Sequence, residues 1–536
     1  MDTALDNRVL TENRASSMVR IINVAGYNQV VANDDSLTNF IVRNPVGPDS
    51  YKFPGTSYFP TDGRLGKIWN IPQDLFNAQS TAKLDFMTRV YQNTLVNDLK
   101  VDVKNDHTNP TDYYLMPTTF MEGQPEVVPI KRGVSVSSKP DHFKIRIVNL
   151  SGQIKNKGNN SSGTLEDMTG SVSLAYADGT LVDAQTNNIS SVQKTSDYIE
   201  LPYGTYQFKI LMQDGRQMAA IGSEAYEFTL IDPPTSTTPT DLMKSTDLTY
   251  APLQTYQPGG IYTILVAPQS FRYLVNDIGE TSDTYQNSFQ VINDNNPPVN
   301  HTYFRVQAIN AWDAQNVSFR VNGKLIANDL GFGMVGEYAN FIEGTHKIEA
   351  LDASGKVIAA VDQVLRAAQN YTAWLFPDQA GTVKLLLVAN DLSGATSLQN
   401  GQDDGTFART QQKFFFFKRF LNFSADNPYI TFTLNNGQPV AVGANNNQVG
   451  VNMQPGIPLY DRPFATNSYS QSAFDLMAYR SKPNVVPGIW ANDIVSLKNE
   501  DFIARKELYI HASRKTPVQE AGIYTIALIG KTAATS

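Results

Sequence analysis

Residues 305–323 read RVQAINAWDAQNVSFRVNG, and two signals in that stretch decide the fold class. Arg305 to Ile309 form a short, mostly apolar run that ends in Asn310. Val317, Phe319 and Val321 then alternate with Ser318 and Arg320 before Asn322-Gly323. Strand side chains point to opposite faces in turn, so a period of two marks a strand with one buried face. Asn-Gly at its end supplies the positive φ that a tight hairpin needs. The stretch reads as two β-strands.

The same pair of signals recurs along the chain. VRIINVA (Val19 to Ala25), KIRIVNLS (Lys144 to Ser151) and FKRFLNFS (Phe417 to Ser424) each run an apolar strand into an Asn. The shared residues Asn23, Asn149, Asn310 and Asn422 are 126, 161 and 112 residues apart, each the size of one domain. An Asn at a strand end is expected to hydrogen-bond the backbone of the following turn. SVSLAYADG (Ser171 to Gly179) and ITFTLNNG (Ile430 to Gly437) repeat the alternating hairpin strand. Leu201 to Ala220 aligns without gaps to Phe341 to Ala360, with Gly204 matching Gly344 and Gly215 matching Gly355. Three repeats close on a Tyr-Thr strand, from Tyr262, Tyr371 and Tyr524, and the stretch from Asp112 is the counterpart in the first.

These repeats predict an all-β protein, a tandem array of about four immunoglobulin-like or transthyretin-like antiparallel β-sandwiches. Residues 1–17 read as an N-terminal tether, and 18–120, 142–290, 303–394 and 413–536 as the four sandwiches. Residues 118–141, 291–302 and 391–412 are rich in Pro, Asn, Gly, Ser and Asp, as linkers are. Ile231 to Thr240 reads as a surface insertion in the second repeat. Helix is confined to two short candidates, Pro72 to Ser80 and Gln363 to Ala368.

Composition narrows the function. Charged residues make up 18% of the 536, below the ~25% of typical soluble domains, and amides, hydroxyls and Tyr supply the polarity instead. A net charge of -8, with tight basic pairs such as Lys131-Arg132 and Lys418-Arg419 scattered along the chain rather than clustered, argues against nucleic acid as a partner. Cysteine is absent, which excludes disulfides, thiolate catalysis and sulfur-ligated zinc. No run is long and apolar enough for a transmembrane segment. The chain shows no charged-then-apolar signal sequence, which leaves a cytosolic protein or a mature domain without its leader. The polar stretch from Asp2 to Ser17 reads as a tether and favours the second, with an N-terminal lipid as its membrane anchor.

The third repeat, from Phe304 to Gly394, resembles the domain-of-unknown-function family numbered 4397. The matching features are the hairpin Val321 to Gly323, the turn Leu330 to Gly333, the strand entry Glu343 to His346 and the closing strand Asn370 to Trp374. The resemblance implies an exported bacterial protein, often a tandem surface lipoprotein of Bacteroidota. It implies no catalytic residue.

Motifs for chemistry are few. Gly331 to Gly336 spells G-x-G-x-x-G, but a dinucleotide site needs that motif between a strand and a helix, and here strands flank it. His107, His142, His301, His346 and His511 show no ligand spacing, and Asp34-Asp35, Asp294 and Asp403-Asp404 read as solvated turns. The sequence therefore predicts no catalytic residue, metal or cofactor. Trp69, Trp312 and Trp490 fall in loop-like stretches and are the candidate ligand contacts, whereas Trp374 reads as core. Phe414, Phe415, Phe416 and Phe417 cannot all face one side of a strand, so they are the candidate contact between the third and fourth repeats. The expected role is a non-enzymatic scaffold or adhesin at a bacterial surface, anchored to the outer membrane or extracellular. Its partners would be other surface or outer-membrane proteins. The alternative is a glycan-binding surface lipoprotein of a nutrient-capture system. In either case a tandem array would carry its far end well away from the tether.

Overall fold

The computed structural model describes residues 14–38, 56, 58–59, 63–89, 95–155, 159–160, 163–164, 168–218, 220, 254–274, 281–390, 392, 415–441, 448–461, 463–468, 473–510, 519–520 and 522–532. The Ile231 to Thr240 insertion, Asp403-Asp404, His511, Phe414 and most of the tether lie outside the described residues.

Four units share one plan. In each, the strand that runs into the shared Asn sits inside a sheet with an antiparallel neighbour on one side and the closing strand on the other. In the first unit Ser16–Asn23 lies between Ile68–Pro72 and Thr111–Leu115, with Val127–Lys131 beyond. In the second His142–Asn149 lies between Ile199–Pro202 and Ile261–Leu274, followed by Thr281–Asn293. The third places Tyr303–Asn310 between Ala339–Ile342 and Asn370–Pro377, followed by Val383–Asn390. The fourth places Phe415–Asn422 between Phe464–Ser468 and Gly522–Leu528.

Opening and closing strands pair in parallel in all four units. The alternation-based expectation of antiparallel sandwiches did not contain this pairing. A parallel pair needs a long crossover, and the intervening second sheet of each unit is that crossover. In the third unit it runs Lys324–Leu330, Val317–Val321, Gly344–Leu351 and Val357–Leu365, all antiparallel. The aligned Gly positions are turn positions: Gly215 and Gly355 have φ of 84° and 82°.

Three local readings change. Val357–Leu365 is a strand, so the helix candidate near Gln363 fails; its partner strand outweighs local propensity. Pro72 to Ser80 gives only a single 3-10 turn, Gln73–Leu75. Within 118–141, Met121–Glu122 pairs with Gln153–Ile154, and Val127–Lys131 pairs with Thr111–Leu115. The α-helix present among the described residues is four residues long, Glu507–Ile510, so none there could cross a membrane.

Each shared Asn ties its strand end to two separate loops. Asn310 donates from Nδ2 to the carbonyls of Gln315 and Leu330 and accepts the Trp312 N–H at Oδ1, all at 3.0 Å. Asn149 reaches Gly170 and Ile189 and accepts from Ser151. Asn422 reaches Asn427 and Met453 and accepts from Ser424. Asn23 reaches Tyr27 and Gly66 and accepts from Tyr27. All four are buried, where carbonyls that lose a donor are costly.

The units pack in pairs through the outer faces of these sheets. Ile22, Tyr114 and Val128 of the first meet Val148, Leu265 and Ile292 of the second. Ile309, Trp374 and Phe376 of the third meet Leu421 and Phe423 of the fourth. The second unit also touches both members of the other pair. Tyr203 donates to the carbonyl of Tyr303, Arg305 lies over the Tyr206 ring, and Asn340 donates to Asp141. Lys209 pairs with Glu520 at 2.9 Å, and Ala175 and Leu211 pack on Ile503 and Leu508. The chain is folded back on itself, and the extended array expected from tandem repeats is not what forms.

Candidate functional site

Three residues before the shared Asn stand Arg20, Arg146, Gln307 and Arg419. Strand alternation puts these side chains on the outer face, at the seam between paired units. Arg20 forks onto both Asp112 oxygens at 3.0 and 2.6 Å and reaches across the seam to Asp294 at 2.6 Å and the Asn293 carbonyl at 2.7 Å. Arg132 adds a bond to Asp112 at 2.9 Å, and Tyr198 and Thr263 donate to Asp294. Burial disfavours the Arg20 charge, but Asp112 and Asp294 more than offset it and hold its pKa above the usual arginine range. Asp294 is therefore not the solvated turn that the sequence suggested: its carboxylate is fully buried in an ion cluster.

The seam is two-fold in character. Arg20 donates to the carbonyl of Asn293, at the end of the second unit's last strand, and Arg146 donates to Lys131, at the end of the first unit's last strand. That reciprocity is what an isologous dimer interface shows. In the other pair Arg419 reaches the carbonyl of Ala389 at 2.5 Å, Asn390 at 2.6 Å and Thr525 at 2.9 Å. Gln307, the fourth member, bonds only Thr372 in its own unit. Sequence reading stopped at the Asn. The Arg three positions earlier, present in three of four repeats, was the available signal for the seam.

The tryptophans part company. Trp69 is 6% exposed and packs on Phe59 inside the first unit, because alternation in Ile68–Pro72 turns it inward with Ile71. It is core, not a ligand contact. Trp312 is half-buried against the third unit's core. Trp374 stacks on Phe423 with centroids 4.6 Å apart, at the seam. Trp490 is 51% exposed on Val485–Trp490, an edge strand that also exposes Val485, Val486 and Ile489.

The Phe run divides between two faces. Phe416 enters the fourth unit's own core against Phe502 and Tyr524. Phe417 turns to the opposite face and clusters with Phe464 and Ile523 of the same unit. Phe415 has its backbone in the strand. The contact with the third unit is made further along, by Leu421 and Phe423. Lys418, facing the core between Phe416 and Phe420, is 2% exposed with its Nζ 3.8 Å from the Phe416 ring centroid. Burial pushes its pKa down to about 7.

The remaining candidates have structural surroundings. Gly331 to Gly336 forms the turn from Lys324–Leu330 toward Ala339–Ile342 and opens no helix. His346 bonds Asn322 and the Ile342 carbonyl beneath the Phe304 and Phe341 rings. His142 bonds Asp141, and Asp34 sits in an exposed turn that leads into the exposed two-residue strand Asp35–Ser36. Among the described residues no three His, Cys, Asp or Glu side chains group to hold a metal ion.

No curated protein matches the chain. Among solved structures, streptococcal family 41 carbohydrate-binding modules that recognise alpha-glucan are 10% identical, over 45% of this chain and 95% of theirs, with a TM-score of 0.11. A multi-modular glycogen-degrading pneumococcal virulence factor is 9% identical, over 63% of this chain and 37% of its own, with a TM-score of 0.11. A candidate cell adhesion protein of Bacteroides fragilis is 12% identical, over 46% and 97%, again with a TM-score of 0.11. Residues 304–400 match the family described as Domain of unknown function (DUF4397), the same stretch on which the sequence resemblance rests.

Proposed function

We propose that the chain is a non-catalytic interaction protein of a bacterial surface, a rigid scaffold held through its N-terminus that engages other proteins with sheet edges and loops. The observation that carries this reading is the edge strand Val485–Trp490. Trp490, Val485, Val486 and Ile489 are all at least half exposed, on a strand with one side unpaired among the described residues. Pro487 and the irregular register between Arg480 and Lys482 blunt the backbone edge of this strand, so what a partner would cover is its exposed apolar side chains. Locked seams below it suit presentation of a fixed surface.

The glycan reading keeps one specific support, the exposed Trp490 ring. The aliphatic residues flanking it favour protein. Pull-down from outer-membrane extract and a glycan array, each run with the full chain and with Trp490→Ala and Ile489→Asp, separate the two. A specific protein captured by the parent and lost in both variants supports the scaffold reading. Micromolar glycan binding lost in Trp490→Ala alone would replace it. Turnover of chromogenic glycosides or esters, abolished by a single Asp, Glu or Ser substitution, would overturn the non-catalytic part.

A further inference from the structure

Where the fourth unit docks on the second, the surfaces do not close completely. Along the Leu211–Leu508 contact a cleft of about 460 Å³ remains, built from both units. Its apolar surface includes the exposed Leu181 and the nearly buried Leu211 from one unit and the nearly buried Leu508 from the other, while the side chain of Met212 turns into the second unit's own core. The second unit adds Asn188 and Gln213, and the fourth adds Glu507 and Arg505. Asn188, Gln213 and Glu507 are exposed, and among the described residues their side chains have no hydrogen-bond partner. Arg505 is anchored by a 3.3 Å bond to the carbonyl of Gly179. Trp490 does not line the cleft.

This volume lies within the range of small-ligand sites, and the lining specifies the ligand class. Each free amide presents one carbonyl acceptor and one NH₂ donor, the same pair that a peptide group offers in reverse. Leu181, Leu211 and Leu508 present an aliphatic surface to an apolar side chain. The lining is aliphatic rather than aromatic, so it suits an apolar side chain better than the face of a sugar ring. We propose that this inter-unit cleft binds a short extended peptide segment. Its apolar side chain rests on Leu181, Leu211 and Leu508, and its main chain pairs with Asn188 and Gln213. Because the cleft exists only in the docked arrangement, its ligand also stabilises docking. The site is independent of the Trp490 strand, and either can fail without the other.

The test titrates the full chain with blocked tripeptides, N-acetyl-Gly-X-Gly-amide with X as Leu, Met or Asp, and with maltotriose, following saturation-transfer NMR. The Leu and Met peptides should bind saturably at about 0.1–1 mM, the range open to ligands of this size, and the Asp peptide at least five-fold more weakly. Gln213→Ala, an exposed and unbonded position, should weaken the Leu peptide at least three-fold with the circular dichroism spectrum unchanged. Lys209→Ala, which loosens docking, should weaken it as well. Absence of saturable peptide binding overturns the proposal. So does binding insensitive to both substitutions, and so does maltotriose binding that Gln213→Ala weakens while no peptide binds.

Discussion

Lys418 places a charge where the other repeats place an aliphatic side chain. Counting four residues back from the shared Asn gives Val19, Ile145, Val306 and Lys418, and the first three are apolar core. The unfolded chain keeps this lysine protonated up to about 10.5, whereas the folded chain releases the proton above about 7. Between those values unfolding takes up a proton, so stability rises with pH across the window and that gain is lost as pH falls through 7. Lys418→Met should raise stability at pH 7 by a few kcal/mol and flatten the dependence between pH 7 and 10. Urea midpoints at several pH values check both, and an unchanged slope would show the charge to be compensated. Asn310 makes the opposite case: its loss frees two carbonyls and one N–H, and Asn310→Ala should cost roughly 2–4 kcal/mol, read from the same curves. The role of the Asn was legible because turn chemistry is local. The strain of Lys418 was not, since its burial depends on Phe416, Phe474 and the closing strand, brought together only by folding.

At the scale of elements, alternation and Asn-Gly or Asp-Gly turns located the hairpin strands, and the repeat alignment located the opening and closing strands. That much follows from backbone periodicity. Alternation also marked an inner and an outer face for each opening strand, but not what covers the outer one. The cover is another unit, and the polar residues there answer to partners far along the chain, as Arg20 does to Asp294. This is why Asp294 resembled a turn residue and why the third–fourth apolar contact fell at Leu421 and Phe423 rather than in the Phe run. The Arg20 cluster supplies the test. Arg20→Met leaves two buried carboxylates with Arg132 as the remaining cation on Asp112, and should cost roughly 3–5 kcal/mol. Adding Asp112→Asn and Asp294→Asn should recover much of that loss, since the penalty comes from stranded charge rather than lost attraction. Thermal unfolding of the single and triple variants measures it. If the triple variant is no more stable than Arg20→Met, the cluster acts through geometry instead.

For the whole molecule, four tandem domains can hang as a string or fold back, and the repeat pattern does not distinguish the two. The folded-back form rests on the second unit's contacts with the other pair: Tyr203, Tyr206 and Asp141 against the third unit, and Lys209 with Glu520, and Ala175 and Leu211 against Ile503 and Leu508, on the fourth. The ion pair is buried, with side chains 2% and 9% exposed at 2.9 Å, and Glu520 also accepts the Ala504 N–H at 3.1 Å. Breaking one side of such a pair strands a carboxylate in the contact, whereas replacing both partners with apolar side chains is often neutral or better. Docking can relieve the stranded charge simply by opening, because water then reaches Glu520. Lys209→Ala should therefore act less on the stability of either unit than on their separation. A compact chain of this length has a radius of gyration of about 24 Å, and small-angle scattering should show a clear increase above the parent's value in this variant. The pair Lys209→Met with Glu520→Leu should restore the parent's dimensions. Limited proteolysis gives a second readout, with cleavage near Arg505 and Lys506 faster in Lys209→Ala and back to the parent's rate in the double variant. Equal dimensions and equal cleavage for all three proteins would mean that the contacts of the second unit with the third, through Tyr203, Tyr206 and Asp141, and not this ion pair, hold the chain closed.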